Sequence, residues 1–488
     1  MSTTIAELEE RTAAAEAAAP AWRAASAGTR ATWLRAAAEA LDAHADELVP
    51  LADAETRLGE TRLRGEVART SGQLRLFAGV VEEGAYLEAI VDDADAAATP
   101  PRPELRRMLT GVGPVAVFSA SNFPFAFSVA GGDTASALAA GNPVMVKAHS
   151  GHVRLSRRTA EIVTAALVAA GAPVGSLGLA EGREAGEALV RHPSVQAVGF
   201  TGSVSGGRAL FDLAAGRPDP IPFYGELGSV NPVMLTAGAV AARGPALAEG
   251  LVGSFTLGVG QFCTKPGVVF VPRTAGFAEL VAPRVAGAAG GHLLTDRITE
   301  AFPEGLAHLE ADPSVTVVAR GDVGGAGGSG GATPTVLATD AAAVAARPDT
   351  LLEECFGPVT LLVHYDGPED LLAALRAVPG SLTATLHSEA GEEVTEVVAV
   401  LERRAGRLLF AGWPTGVAVT WSQHHGGPWP ATTSLHTSVG ATAIRRFLRP
   451  VVFQDAPAHL LPEVLRDEAL AAIPHRRNGI LRVPALRR

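Results

Sequence analysis

The chain has 488 residues, of which 47% are hydrophobic and 19% are charged, and this composition predicts two or three folded domains and excludes a disordered or fibrous protein. Its formal net charge of −11 and its lack of basic runs argue against binding to nucleic acid. Two cysteines exclude a disulfide framework and favour a cytoplasmic location, and we find neither a signal peptide nor an apolar run of about 18 residues that would predict a membrane span.

Helices are predicted for the first part of the chain. In the ranges 4–50 and 60–87, Ala, Leu and charged residues recur at helical spacing. Pro100, Pro101 and Pro103 then predict a linker, because proline interrupts both helices and sheets.

From residue 112 onward, short apolar runs alternate with helical segments. The predicted strands lie at 115–120, 143–148, 175–180 and 195–203, and the predicted helices at 131–140, 155–170 and 185–191. This alternation predicts a parallel sheet, which binds ligands beyond the carboxyl ends of its strands. The residues at those ends are Ser121–Asn122, Lys147–Ser150 and Thr201–Ser203.

A second alternation begins near Asn231 and predicts a second α/β domain. It combines a helix at 241–259 with strands at 232–237, 267–272, 316–320, 358–365, 382–388 and 406–412. The glycine-rich segment Gly321–Pro334 is predicted to be a flexible surface loop. A phosphate-binding loop is the alternative, which the missing strand–glycine–helix context and the missing P-loop lysine disfavour.

The segment Gly111–Ala116 matches the loose dinucleotide pattern G-x-G-x-x-A. A functional version follows a strand and opens a helix, whereas this segment precedes a strand and contains Pro114. We therefore do not expect it to bind a dinucleotide.

Three polar residues lie in apolar or glycine-rich surroundings: Cys263, Glu226 and Asn122. Ordinarily such a cysteine is a small buried hydrophobe, such a glutamate is capped or solvated, and an asparagine before Phe-Pro forms a turn. Each also has a chemical interpretation. The thiol is a candidate nucleophile, the carboxylate a base whose pKa burial would raise, and the amide a donor to an oxyanion.

Six motifs strengthen the chemical interpretation, and they occur in the order FSASNFPF, GNPVMVKAHS, VGFTGS, ELGSVNP, GQFCT and EECFGPV. Together they resemble the aldehyde dehydrogenase superfamily over nearly the whole chain, and Glu226 precedes Cys263 by 37 residues, close to the usual separation in that family. The resemblance implies the aldehyde dehydrogenase fold. That fold is α/β, with a Rossmann-like parallel-sheet cofactor domain, an α/β catalytic domain and an oligomerisation arm.

The resemblance also implies roles for the three residues. Cys263 attacks the aldehyde carbon as a thiolate, and the Asn122 amide and the backbone N–H of Cys263 hold the oxyanion. Hydride transfer to the nicotinamide leaves a thioester, and Glu226 activates the water that hydrolyses it, so the product is a free acid. Glu226 is also a candidate base for the thiol itself.

The outer part of the implied cofactor site includes Lys147, which matches the lysine that reaches the adenosine ribose. Ser150 stands where many NAD-using members carry a glutamate, and a hydroxyl there accepts a 2′-phosphate that a carboxylate would repel. NADP is therefore favoured, with NAD as the alternative. Arg183, or else Arg154, could pair with that phosphate, and on the other interpretation both are solvated helix charges.

The inner part of the implied cofactor site includes Gly202 and Ser203, which match the turn beside the pyrophosphate. Glu354 and Phe356 match the pair that positions the nicotinamide ribose and ring. Cys355 lies at a position that the family does not use for chemistry, and we interpret it as a buried structural residue.

The closest subgroup resemblance is to NADP-dependent α-ketoglutaric semialdehyde (2,5-dioxovalerate) dehydrogenases, through the segments 68–78, 103–149 and HHGGPWPATT. Arg69 and Gln73 lie on the helix that would border the substrate entrance, with Arg75 nearby, and on the other interpretation they are surface groups. We assign no metal to His424 and His425, because the sequence shows no Cys, His or carboxylate at ligand spacing. A loop near the substrate entrance is favoured for them.

The implied domain division is 1–98 with 115–225 for the cofactor domain, 226–430 for the catalytic domain, 99–114 with 470–488 for the arm, and 431–469 for a return to the cofactor domain. The resemblance implies a homodimer or homotetramer acting on a small-molecule aldehyde. Two alternatives stay open for function: a broad-range or fatty aldehyde dehydrogenase, and a cofactor-independent Cys hydrolase. Intact Cys263, Glu226 and Asn122 argue against an inactive scaffold.

Overall fold

The computed structural model describes residues 2–322 and 331–484, and it begins with the predicted helices. They are α1 (Ile5–Ala24), α2 (Ala27–Ala43), α3 (Ala45–Thr56) and α4 (Glu60–Glu83). α1 starts with a capping box in which Thr4 and Glu7 satisfy each other's backbone N–H groups. α4 ends at Gly84, whose φ of 83° suits a residue without Cβ.

Two strands follow the helices, on either side of the predicted proline linker. They are β1 (Ala89–Asp92) and β2 (Leu105–Gly111), and they pair antiparallel. The segment Gly111–Ala116 leads from β2 directly into the next strand, so the prediction that it is not a strand–turn–helix fingerprint is confirmed.

The next part of the chain forms a five-stranded parallel sheet with order β5-β4-β3-β6-β7. Its strands are β3 (Val115–Phe118), β4 (Val144–Lys147), β5 (Leu177–Ala180), β6 (Ala197–Thr201) and β7 (Phe223–Glu226). Its helices are α5 (Gly132–Ala139), α6 (Val153–Ala169), α7 (Arg183–Arg191) and α8 (Val204–Ala215). The predicted alternation is confirmed, although edge strand β7 was not predicted.

The second sheet has the order β11-β13-β14-β9-β8-β15-β16 and is parallel except for edge strand β11. The strands of this sheet are β8 (Val233–Leu235), β9 (Val268–Pro272), β11 (Thr316–Arg320), β13 (Thr335–Asp340), β14 (Val359–Tyr365), β15 (Ser381–His387) and β16 (Ala405–Phe410). A separate pair is formed by β10 (Gly291–His292) and β12 (Gly331–Ala332). The helices are α9 (Ala237–Thr256), α10 (Phe277–Ala286), α11 (Asp296–Glu310), α12 (Ala341–Ala346), α13 (Pro348–Leu351), α14 (Pro368–Ala377) and α15 (Thr395–Arg404).

Burial explains why the inner strands of this sheet are continuous apolar runs. Every residue of β9 and β15 is buried, as expected for parallel strands covered on both faces. The predicted strands of the second alternation appear as β8, β9, β11, β14, β15 and β16, whereas β13 was not predicted. Of the predicted glycine-rich loop Gly321–Pro334, residues 323–330 lie outside the described residues, and Gly331–Ala332 pairs with β10.

A third sheet, with order β17-β2-β1-β18-β19, joins distant parts of the chain. Its later elements are β17 (Leu448–Gln454), the short helix α16 (Asp467–Leu470), β18 (His475–Arg477) and β19 (Ile480–Arg482). It brings the two implied arm segments together, and it also includes β1 and β17. Among the described residues, no helix is both long and apolar enough to cross a membrane.

Candidate active site

Cys263, Glu226 and His425 form one polar cluster. Sγ of Cys263 lies 3.6 Å from Nε2 of His425, and the same Nε2 lies 2.9 Å from Oε1 of Glu226. Glu226 and His425 are buried, whereas Cys263 is partly exposed. A thiol, an imidazole and a carboxylate therefore meet at one point, as nucleophilic catalysis by a cysteine requires.

The edge of the first sheet positions the carboxylate of this cluster. Glu226 is the last residue of β7 and pairs with Thr201 of β6, and a bridge to Thr432 attaches it to the segment 425–438. That segment also carries His425, whose backbone N–H donates to Oγ1 of Thr437 at 2.7 Å. The position of both groups is thus fixed by backbone contacts.

The hydrogen bonds around Glu226 set its ionisation. Oγ of Ser438 donates to Oε2 at 2.6 Å, while Oε1 contacts His425. Burial raises the pKa of Glu226, but the charge of His425 and the hydrogen bonds from His425, Ser438 and Cys263 outweigh burial, so the pKa lies below its usual value. Burial thus acts in the expected direction, but the net shift is downward. The carboxylate is ionised at neutral pH, which is the form that a general base needs.

The Cys263 thiol is in the opposite situation. Burial raises its pKa well above the usual value, and the negative charges of Glu226 and Glu354 raise it further, while the Arg69 guanidinium lowers it. The resting thiol is therefore protonated. Attack as a thiolate would require loss of this proton, and Glu226 is the base within reach of the thiol, because Nε2 of His425 donates to that carboxylate.

Asn122 lies against the residues that precede Cys263. Its side-chain Nδ2 donates to the backbone carbonyl of Gln261 at 2.9 Å. The backbone carbonyl of Asn122 accepts a hydrogen bond from Nη2 of Arg62 at 2.6 Å. An amide nitrogen carries two N–H donors, and the bond to Gln261 uses one. The second N–H donor of this amide has no hydrogen-bond partner among the described residues, and its role toward an oxyanion stays a prediction.

The loop that leads to Cys263 is strained and closely packed. Val259 has a φ of 57°, and a β-branched residue in this left-handed region costs about 1–3 kcal/mol. Gly260, with a φ of 69°, packs so closely on the carbonyl of Gly357 that no Cβ would fit. Behind the loop, Nδ2 of Asn231 donates to the carbonyls of Cys263 and Lys265 at 2.8 and 2.9 Å. These contacts fix the nucleophile.

Lys265 connects the cysteine loop to the EECFGPV motif. Its buried Nζ donates to the carbonyls of Cys355 and Val359 at 2.7 and 3.0 Å. Burial lowers the pKa of Lys265, and its charge partly opposes the effect of burial on neighbouring Glu354, whose pKa rises to about 7. The motif expected to hold the nicotinamide ribose is therefore anchored directly to the loop of the nucleophile.

The turn after β6 offers backbone donors to an anion. Ser203 caps α8, its Oγ accepting from the N–H of Gly206 at 3.3 Å, so the free N–H groups of this helix point out of its N-terminus. The N–H of Gly202 donates to the backbone carbonyl of Glu226 at 3.0 Å. The candidate pyrophosphate turn thus contacts the candidate base through one hydrogen bond.

Lys147 and Ser150 follow β4 at the carboxyl end of the sheet. Lys147 is half-buried and Ser150 is exposed at the start of a short 3-10 turn. Between them, His149 has its pKa lowered to about 3 by burial and by the positive charges of His152, Lys147 and Arg297. Lys147 and Arg297 thus place positive charge near Ser150, while the Glu55 carboxylate accepts the N–H groups of Arg154 and Leu155 at 3.0 and 2.9 Å. Arg183, by contrast, begins α7 with a side chain 92% exposed, paired with Glu187 at 3.0 Å.

The three residues proposed for the substrate entrance divide into two groups. The Arg69 guanidinium lies 5.9 Å from the ring centres of Phe123 and Phe127 and interacts electrostatically with Cys263 and Glu226. Gln73 is buried on the same side of α4, next to Gly132. Arg75 instead forms a surface ion pair with Asp42 at 2.6 Å.

Two further cysteine and histidine predictions have definite outcomes. Cys355 is buried, with Sγ 3.7 Å from the carbonyl of Phe302 and a pKa raised to about 11 by burial, so its interpretation as a structural residue agrees with its surroundings. The expectation that His425 has no cysteine or carboxylate partner was wrong. Its partners, 162 and 199 residues away along the chain, are brought to it by the fold.

Sequence reasoning also missed Ser438, Asn231 and Lys265. A buried-lysine signal was present, because Lys265 lies in an otherwise uncharged run around Cys263. Asn231 precedes a proline, which suggested only a turn. Ser438 lies in a polar loop of Ser and Thr residues and gave no comparable signal.

Comparison with known proteins places this geometry in context. A family model described as "Aldehyde dehydrogenase family" matches residues 2–448. The chain is 48% identical over 468 residues to "Alpha-ketoglutaric semialdehyde dehydrogenase 2" of Azospirillum brasilense, covering 94% of this chain and 89% of that protein. It is 41% identical over 442 residues to "Alpha-ketoglutaric semialdehyde dehydrogenase" of Acinetobacter baylyi, covering 89% and 84% of the two chains.

Solved structures share the fold. A mutant of Proline Utilization A (PutA) from Bradyrhizobium japonicum matches with a TM-score of 0.78 at 24% identity, covering 93% of this chain and 45% of that larger one. At this identity the likeness concerns the fold alone. The family match over most of the chain and the two relatives above 40% identity go further: this chain belongs to the aldehyde dehydrogenase family.

Proposed function

We propose that this protein oxidises 2,5-dioxopentanoate (α-ketoglutaric semialdehyde) to 2-oxoglutarate with NADP, through a thiohemiacetal and a thioester on Cys263. The observation that carries the chemistry is the contact of Cys263 and Glu226 with one imidazole nitrogen, at 3.6 and 2.9 Å. The substrate is proposed from the two relatives named for it and from the Arg69 guanidinium on one side of the cysteine.

The first step is activation of the thiol. Because Cys263 is protonated at rest, its proton passes to Glu226 as the sulfur attacks the aldehyde carbon, and Glu226 releases that proton to solvent before the thioester is hydrolysed. The new alkoxide accepts hydrogen bonds from the free N–H of the Asn122 amide and from the backbone N–H of Cys263. One such donor contributes about 3–4 kcal/mol to the stability of the transition state.

The second step produces the acid. A bound NADP+, which Lys147, the turn Gly202–Ser203 and Glu354 would hold, would supply the acceptor for the hydride of the thiohemiacetal carbon. The thioester left on Cys263 is then attacked by water, and the ionised Glu226 takes the proton of that water. Ser438 and His425 hold the carboxylate for this role, and the freed thiol returns to its resting state.

The residues present fit a dinucleotide. The free N–H groups of α8 and the turn Gly202–Ser203 suit a pyrophosphate. The Glu354 carboxylate packs on Gly228, where a Cβ would lie only 2.8 Å from the carboxylate oxygen. Lys147 suits the adenosine ribose. NADP is proposed over NAD because Ser150 is uncharged and exposed, and Lys147 and Arg297 supply positive charge to its neighbour His149. Arg183 remains a further proposed phosphate contact.

An anionic substrate explains the cationic side of the pocket. Arg69 stacks against Phe123 and Phe127, and its Nε has no hydrogen-bond partner in the described part of the chain. The nearby Glu66 is engaged elsewhere, since its Oε1 accepts the backbone N–H groups of Phe125 and Ala126 at 2.8 and 2.9 Å. A buried guanidinium with a spare donor favours a carboxylate ligand, which a fatty aldehyde lacks. Gln73 is proposed as a second contact.

We further propose a cytoplasmic homodimer or homotetramer that assembles through the third sheet, within the domain division given above. β17 and β19 form its two edges. Val452, Ile480 and Leu481 on these strands are exposed apolar residues, at 54%, 65% and 56%. Unpaired edges with apolar side chains favour pairing with another chain.

Steady-state assays test the proposal. We expect turnover of 2,5-dioxopentanoate with NADP+, weaker turnover with NAD+, and slow oxidation of a neutral aldehyde of equal length. Cys263→Ala should lower kcat by at least about 10³-fold, whereas the control Cys355→Ala should keep most activity. Equal efficiency on the neutral aldehyde would favour a broad-range enzyme, and ester hydrolysis without NADP reduction would favour a cofactor-independent hydrolase.

A further inference from the structure

We propose that Cys263, His425 and Glu226 also form a Zn²⁺-binding site, which holds the nucleophile in a reversible inactive form. The three ligand atoms, one each from thiol, imidazole and carboxylate, all lie within 4.8 Å of one another. The His425 imidazole completes the set, because a cysteine and a glutamate alone would supply only two ligands.

The distances agree with tetrahedral coordination. Zn–S bonds of about 2.3 Å and Zn–N bonds of about 2.0–2.1 Å place tetrahedral S and N ligands about 3.5 Å apart. The observed separation between Sγ and Nε2 is 3.6 Å. Nε2 and Oε1 lie 2.9 Å apart, so they would separate by about 0.4 Å and exchange their hydrogen bond for two metal bonds.

The donor set selects the metal. Sulfur, nitrogen and oxygen ligands together suit Zn²⁺, whereas Mg²⁺ and Ca²⁺ prefer oxygen ligands alone. On binding, the S–H bond of Cys263 and the Nε2–H bond that faces Glu226 break, S–Zn and N–Zn bonds form, the imidazole keeps one proton on Nδ1, and the displaced protons leave to solvent, with no change of oxidation state. The neutral imidazole coordinates through Nε2, and water takes the fourth position, since Cys263 is partly exposed.

Surrounding residues hold two of the ligands in place but do not complete the site. Ser438 holds the second carboxylate oxygen at 2.6 Å, and Thr437 holds the backbone of His425 at 2.7 Å. Nδ1 of His425 is buried and has no hydrogen-bond partner in the parts of the chain that the structure describes. Ligating imidazoles in dedicated zinc sites normally have such a partner. Binding is therefore weaker than in a structural zinc site, and a chelator reverses it.

Binding can be measured without turnover by using Co²⁺ in place of Zn²⁺ on the full-length protein free of cofactor. We expect one Co²⁺ per chain, a thiolate-to-cobalt charge-transfer band, and visible bands typical of four-coordinate cobalt that disappear when Zn²⁺ is added. Cys263→Ala should lose the charge-transfer band. His425→Asn should weaken Zn²⁺ binding by at least about 10-fold, measured by competition with a chromophoric chelator.

The neighbouring His424 supplies a matched control, since it lies outside the cluster. His424→Asn should bind both metals as the unaltered protein does, and thermal unfolding shows whether each variant is folded. The site would be overturned if the unaltered protein showed no charge-transfer band. It would also be overturned if the His425→Asn and Cys263→Ala variants bound Zn²⁺ as tightly as the unaltered protein. Inhibition of aldehyde oxidation by zinc rests on the proposed function, whereas binding of cobalt does not. Failure of the metal site and failure of the proposed function can therefore be told apart.

Discussion

The catalytic cluster and the outer end of the cofactor crevice are built differently. Around Cys263, the polar groups Glu226, His425 and Ser438 are buried and each has at least one defined partner. At the outer crevice, Ser150 is exposed, Lys147 is half-buried, and Arg183 is paired only with a neighbour on its own helix. Buried polar groups need their partners, whereas exposed charges act through water. Removal of the base of the cluster should therefore cost more than a substitution at the outer crevice.

The largest effect is expected for Glu226→Gln, which removes the ionised base but keeps the size of the side chain. Thioester hydrolysis should slow by about 10²–10⁴-fold, since that is the usual contribution of a general base. Rapid mixing should show a burst of NADPH followed by slow turnover. An undiminished steady-state rate would exclude Glu226 as the required base and weaken the contrast between the two regions.

The next largest effect concerns the substrate side of the cluster. Arg69→Gln should lower kcat/KM for 2,5-dioxopentanoate by about 10–10²-fold, because a charge-assisted contact to a carboxylate is lost. A neutral aldehyde should change much less. Arg75→Gln, six residues along the same helix but ion-paired at the surface, is the matched control. Equal losses on both aldehydes would show that Arg69 supports the fold and does not recognise charge.

A smaller effect is expected at the outer crevice. Ser150→Glu places a carboxylate where the 2′-phosphate of NADP would bind, and repulsion should shift the ratio of kcat/KM for NADP+ and NAD+ toward NAD+ by about 10-fold, or about 1.4 kcal/mol. Ser150→Gln, which adds length without charge, serves as the control. If both variants behave alike, size and not charge determines the choice of cofactor at this position.

The smallest change in rate at neutral pH, at most about 10-fold, is expected for His425→Asn. Its clearer effect is on pH dependence. The His425 charge and hydrogen bond help to lower the pKa of Glu226, so this pKa should rise in the variant. A carboxylate with a higher pKa is protonated at a higher pH, and activity should therefore fall earlier on acidification. A pH profile of kcat with an unchanged acid limb would contradict the coupling.

The sequence predicted most strands of the two parallel sheets because they are continuous apolar runs, but it missed β13, which directly follows the glycine-rich segment. β7 was missed because Phe223–Glu226 is a short edge strand with little apolar pattern. The different positions of Arg69 and Arg75 follow from helical phase, since residues 69 and 73 lie one turn apart on one face. His425 could not be assigned, because its contact with Cys263 spans 162 residues and depends on how the segment 425–438 meets the edge of the first sheet.

The central claim, that Cys263 carries a thioester which Glu226 clears, has one direct test. Glu226→Gln mixed with 2,5-dioxopentanoate and NADP+ should accumulate the acyl adduct, visible by intact mass spectrometry and assigned to Cys263 by peptide mapping. The same adduct should be absent from Cys263→Ala and from a sample without NADP+. An adduct on another residue, or none during a confirmed burst of NADPH, would contradict the mechanism.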